Sequence, residues 1–147
     1  MNMTLPTDSD ARKEVPLYRG LLKYFPAALA GVAVNSKKGN DKHNPGEPMH
    51  HARGKSTDHE DCILRHLTDI ADIIAEGERT GLSGCTDWPR LLDEVNALTW
   101  RALALSQRLH EEFGNAPLAP AARVPSYRDA LPVLNESPVC TPTKRSL

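Results

Sequence analysis

Apolar residues recur at helical spacing along three stretches of the chain, and each stretch has start and stop signals of its own. The first begins at Pro26, which suits a first helical turn, and puts Leu29, Val32, Ala33 and Ser36 on one face. Gly39 is its expected C-cap. Upstream, Pro16 to Phe25 reads as a short helix or turn. The second stretch has Ser56 or Thr57 as its N-cap, with Thr57 and Glu60 at capping-box spacing, and is expected to end at Gly77 after about Glu76. At about 100° per residue Ile63, Leu67, Ile70 and Ile74 form one apolar stripe. Asp58, Asp61, Arg65 and Asp69 cluster opposite it, with His59 and His66 on the border. The third stretch opens near Asp87, with Pro89 in its first turn, and aligns Leu91, Val95, Leu98, Ala102, Leu105 and Leu109 before Gly114.

Three such segments with little strand signal predict an all-α fold, a small helical bundle of three to four main helices spanning residues 16–114. Residues 1–15 are polar and aperiodic, and residues 115–147 hold six of the twelve prolines, so both ends are expected to be flexible.

Composition narrows the picture. A chain of 147 residues accommodates one ordinary domain, and a formal net charge of -1 gives no overall basic field for broad binding to a nucleic-acid backbone. No apolar run reaches the roughly 20 residues that span a bilayer, and the N-terminus has no signal-peptide pattern, so a cytoplasmic protein without a membrane partner is expected. Cys62, Cys85 and Cys140 fit neither a disulfide framework nor a paired zinc motif, which predicts reduced thiols.

The segment from Gly39 to His66 carries the candidate chemistry. It holds five of the six histidines, the cations Lys42, Arg53, Lys55 and Arg65, and the acids Asp58, Glu60 and Asp61. Carboxylates hold hard divalent ions, cations offset phosphate charge, and metals activate water, so this mixture suits metal-dependent phosphoryl chemistry. Asp58 and Asp61, three apart on one helical face, are spaced to share an ion, although two acids in a first helical turn also complement the helix dipole. The five histidines, His43, His59 and His66 among them, match no zinc pattern and suit phosphate or base contacts, or else plain polar positions. Asn40, Asn44 and Asn96 have amides able to read a base edge, while Asn44 before Pro45 is equally a turn former. Trp100 is either a stacking surface for a purine or a core residue.

The segments YRGLLKYFPAALAGVA, GNDKHNPGEP, KSTDHEDCILRHL and WRALAL, in this order over Pro16 to Gln107, resemble the phage dATP/dGTP diphosphohydrolases, relatives of the MazG-like all-helical nucleotide pyrophosphohydrolases. The resemblance implies metal-dependent hydrolysis of a purine deoxynucleoside triphosphate to monophosphate and pyrophosphate, in phage nucleotide metabolism, with Mg²⁺ or Mn²⁺ as cofactor. On this reading Asp58, Asp61, His59 and His66 are catalytic. Asn40, Lys42, His43, Arg53, Lys55, Arg65 and Trp100 contact substrate. The chain departs from the MazG-like pattern in one respect: its first long helix lacks the E-E-x-x-E acids, so metal ligation must be reorganised, drawing on Asp93 or Glu94 beside Asp58 and Asp61.

Two alternatives stand beside this one. A phosphohydrolase of the HD type needs a His-Asp dyad, whereas the adjacent pair here runs Asp58-His59. A non-enzymatic phage interaction protein would use the helices to bind a partner, its histidines being merely polar. A homo-oligomer is expected in any case, because three main helices have limited capacity to enclose a nucleotide.

Overall fold

The computed structural model of the chain describes residues 3–49, 57–80 and 87–122. Its helices are α1 (Ser9–Lys13), α2 (Pro26–His43), α3 (His59–Arg79) and α4 (Trp88–Glu112), with a π-helical turn at Tyr18–Leu22 and a 3-10 turn at Pro120–Ala122. The fold is all-α, with no strand among the described residues. None of their helices is long and apolar enough to cross a membrane.

Caps and breakers set the helix ends, and several differ from the sequence expectation. α1 lies in the segment expected to be aperiodic, and it forms because the Asp8 carboxylate accepts the backbone N–H groups of Asp10 and Ala11 at 3.1 and 2.9 Å. It buries nothing. α2 starts at Pro26 as its sequence demands but does not stop at Gly39; it runs on to His43. Glycine permits a left-handed cap without requiring one. The stop lies at Asn44, which precedes Pro45 and is pushed out of the helical region (ψ 62°), with the left-handed turn supplied by Gly46 (φ 76°). In α3 the helix likewise passes through Gly77, which is buried, and is closed by Thr80, whose hydroxyl donates to the carbonyls of Glu76 and Gly77. Its N-cap is Asp58 rather than Thr57; Ser56, the other expected cap, lies outside the described residues. α4 begins as expected, its cap Asp87 accepting the N–H of Arg90 at 3.1 Å.

α4 is the central helix, packed by α3 along one side and α2 along another. The ion pair Lys38–Asp93 (2.7 Å) and the seating of Gly31 against Asn96 show that α2 runs antiparallel to α4. At Gly31 a methyl group would come within 2.8 Å of the Asn96 amide, so an alanine here requires that side chain to move.

The face that α3 turns to α4 is not its apolar stripe. On α3 the buried positions are His59, Cys62, Ile73 and Gly77, whereas Leu67 and Ile74 of the expected stripe are 51% and 44% exposed. At about 100° per residue the contact face is turned roughly 70° from the stripe. On α4 the stripe is split: Leu91, Leu98 and Leu105 are half-buried together with Glu94, Ala97, Arg101, Ala104 and Arg108, while Val95, Ala102 and Leu109 are exposed. Small residues stand on these faces, Cys62 and Gly77 on α3 and Ala97 and Ala104 on α4, and the His66–Glu94 bond forms across the seam. Val32, Cys62 and Ile73 are the buried apolar residues among those described. The displaced stripes flank an open groove of about 400 Å³ lined by Ile63, Ala102, Leu105, Ser106, Leu109 and His110.

Candidate functional site

The rotation of α3 carries polar side chains into its seam with α4, at two levels. At the first level His66 and Asp69, one turn apart on α3, face Glu94 of α4. His66 Nδ1 lies 2.7 Å from Glu94 Oε2, and both side chains are about three-quarters covered. One ligand atom from each of His66, Asp69 and Glu94 lies within 4.8 Å of the other two. Three donors at this separation can surround one divalent ion, since hard cations take oxygen ligands at roughly 2.0–2.6 Å. The set of one imidazole and two carboxylates suits Mn²⁺ at least as well as Mg²⁺, because imidazole favours transition metals.

Two helical turns away, about 10 Å along α3, lies the second level. His59 is 1% exposed, and its Nδ1 has no hydrogen-bond partner. Burial lowers its basicity first, and the charges of Arg101 and Arg108 lower it further. Arg101 is half-buried with Nη1 covered and unpaired, its guanidinium 5.4 Å from the centroid of the Trp100 ring.

The residues expected from the sequence divide into those gathered here and those held elsewhere. His66 and Glu94, given separate roles by the sequence, meet directly. Asp58 does not join Asp61 around a common centre. Its carboxylate accepts from Arg65 at 3.1 Å and lies 3.6 Å from Cys62 Sγ, and the Arg65 bond holds its pKa below the ordinary carboxylate value. Arg65 also donates to Cys62 Sγ at 2.9 Å, so the guanidinium lies along its own helix as an exposed intrahelical clamp. The partner is Asp58, seven residues back, rather than Asp61 or Asp69, because the rotated face draws Asp69 inward. Asp61 is exposed, and Asp93 is engaged by Lys38.

Asn40 is buried and donates from Nδ2 to the carbonyl of Glu47 at 3.1 Å, while its Oδ1 accepts from Asn44 at 3.3 Å. These bonds tie the last turn of α2 to the segment that follows it. Asn96 packs on Gly31. Lys42 and His43 are exposed in the last turn of α2, where positive charge complements the dipole. Trp100 is half-buried between positions that contact α2 and α3. Arg53 and Lys55 lie outside the described residues. Asp69, Arg101 and Arg108 were not singled out by sequence. For Asp69 the signal was present, since H-L-T-D puts an imidazole and a carboxylate on one helical face. No family model, curated protein or solved structure matches the chain.

Proposed function

We propose that the chain is a metal-dependent pyrophosphohydrolase that cleaves purine deoxynucleoside triphosphates to monophosphate and pyrophosphate. The observation that carries this reading is the half-buried convergence of His66, Asp69 and Glu94 from two helices in an all-α fold. These three residues would hold the ion, with the His66–Glu94 contact fixing the imidazole's orientation. When bound, Mn²⁺ or Mg²⁺ supplies Lewis-acid activation of water and neutralises phosphate charge. Arg101 supplies a cation farther along the same seam. The preference for a purine and a deoxyribose rests on the resemblance of the G-N-D-K-H-N-P-G and D-H-E-D-C-I-L-R-H segments alone.

Incubating the purified chain with each deoxynucleoside triphosphate and Mn²⁺ or Mg²⁺ tests the reading through its products. Pyrophosphate from dATP or dGTP is expected. Inorganic triphosphate would assign the HD-type reaction instead, and absence of turnover with either metal would leave a binding protein.

The same reading includes self-association. Leu67, Ile74, Val95 and Leu109 are each at least 40% exposed on the flank from which the stripes were turned, and a second copy of the chain would cover them. Light scattering should give a multiple of the 16.2 kDa chain mass, reduced by Leu67→Glu. A monomer mass at micromolar concentration with full activity would exclude it.

A further inference from the structure

The second level of the seam is costly as it stands. A buried polar atom without a partner forfeits its hydration, and a desolvated cation without a counter-charge is costlier still. Buried His59 Nδ1 and, on the facing helix, the covered Nη1 of half-buried Arg101 both lack a partner among the described residues. Among the described residues no carboxylate pairs with Arg101, and the one that approaches Arg108 is Glu112, a loose contact of 3.7 Å within the same helix. Arg101 and Arg108 are seven residues apart on one face of α4, and the charges of both reach His59 in the first turn of α3, where those of Glu60 and Asp58 oppose them more weakly. The backbone N–H groups of that turn face the same end, and the Asp58 side chain makes no capping bond to them.

We propose that Arg101, Arg108 and His59 form an anion site that takes phosphate groups of a polyphosphate ligand, independently of any metal ion. Guanidinium groups present paired donors that match phosphate oxygens, and a neutral imidazole can donate one N–H without adding charge. The spacing fits an extended ligand. About 10 Å separates this level from the His66–Asp69–Glu94 cluster along the helix axis, so one end of a polyphosphate can meet carboxylates through a cation while the other meets arginines directly. That the ligand is a substrate rests on the proposed hydrolase reading; the anion site itself does not.

Inorganic pyrophosphate in metal-free buffer with chelator is the probe, because chelation removes the cation through which the carboxylate cluster would bind it. Trp100 reports occupancy, since its ring lies against the Arg101 guanidinium, and Trp88→Phe leaves it as the single indole. A saturable change in Trp100 emission is expected, with Arg101→Met and Arg108→Gln each weakening pyrophosphate at least tenfold. Glu94→Gln should alter that affinity by no more than about threefold, a small effect for a charge change at this distance across partly screened space. No saturable change, or equal affinity in both arginine variants and the parent, overturns the proposal. Should Arg101→Met fail to fold, Arg108→Gln and calorimetry on the parent decide alone. Sulfate competing as well as pyrophosphate would also overturn it, by reducing the site to nonspecific cation screening. The two readings fail separately: pyrophosphate binding without turnover under any metal refutes the hydrolase and keeps the anion site, whereas turnover with arginine-insensitive binding does the reverse.

Discussion

The two levels of the α3–α4 seam share helices, burial and polar character, yet they balance their charges in opposite ways. Around His66 the acids Asp69 and Glu94 supply acceptors, and His66 is bonded at 2.7 Å within the protein itself. Around His59 the cations Arg101 and Arg108 outweigh the acids Glu60 and Asp58, and two buried polar atoms have no partner among the described residues. The first level is complete enough to hold two helices together and still present a cation with ligands. The second level gains little from folding alone. Stability and ligand binding therefore draw on different turns of the same pair of helices, so substitutions at the two levels should have opposite signatures.

The largest effect is expected at the first level. Glu94→Gln keeps the shape of the side chain but removes an anionic ligand, and should lower kcat/KM for the favoured deoxynucleoside triphosphate by at least about a hundredfold, or roughly 2.7 kcal/mol. Steady-state kinetics with Mn²⁺ saturation measures it. Retained activity within about threefold would leave the His66–Glu94 bond as a purely structural contact.

At the second level a substitution should stabilise the ligand-free protein. His59→Leu replaces an unpaired buried imidazole with an apolar group of similar size, for an expected gain of about 1–2 kcal/mol in urea unfolding. The gain should grow on acidification. Because burial and the two arginines hold the folded-state pKa of His59 below its ordinary value of 6.5, the unfolded chain binds the extra proton first. His59 therefore costs nothing in proton linkage above about pH 6.5, and stability is lost as pH falls from there through the folded-state pKa. Comparing unfolding of the parent and His59→Leu at pH 7.5 and 5.5 isolates this slope. A variant less stable than the parent at both values would show that the ring makes a bond in solution.

The smallest effect belongs to the rim. Arg65 clamps Asp58 and Cys62 on the outer surface of α3, so Arg65→Lys should leave both the thermal midpoint and kcat/KM close to the parent. A hundredfold loss of kcat/KM would instead bring Arg65 into phosphate contact, the role that its sequence neighbours suggested.

How much of this was legible in the sequence depends on which force decided each feature. Pro26 and Asp87 were readable because their roles are local: a proline fits a first turn, and an aspartate caps three residues on. Gly39 and Gly77 misled for the complementary reason, as a glycine's permission to end a helix is exercised only when nothing continues to hold it. The helix faces were the harder matter. Periodicity located the apolar stripe through Ile63, Leu67, Ile70 and Ile74 correctly as a stripe, but which side of a helix meets its neighbour is a property of two surfaces. The His66–Glu94 bond forms on a face that leaves Leu67 and Ile74 of the stripe outside. Arg101 and Arg108 were invisible for the same reason. In a list they are two more cations on an amphipathic helix, and only the fully buried ring of His59 opposite them gives them a shared address.

The contact of Gly31 with Asn96 constrains how this chain can drift over evolutionary time. Replacing a mid-helix glycine with alanine ordinarily gains about 1 kcal/mol of helix propensity, a step that random change would be expected to find and keep. Here the added methyl would meet the Asn96 amide at 2.8 Å, so the gain is offset by displacing that side chain from its place against α2. Shortening Asn96 first removes the obstacle. The two positions are thus coupled, and a double-mutant cycle on Gly31→Ala and Asn96→Ala should return a coupling of up to about 1 kcal/mol.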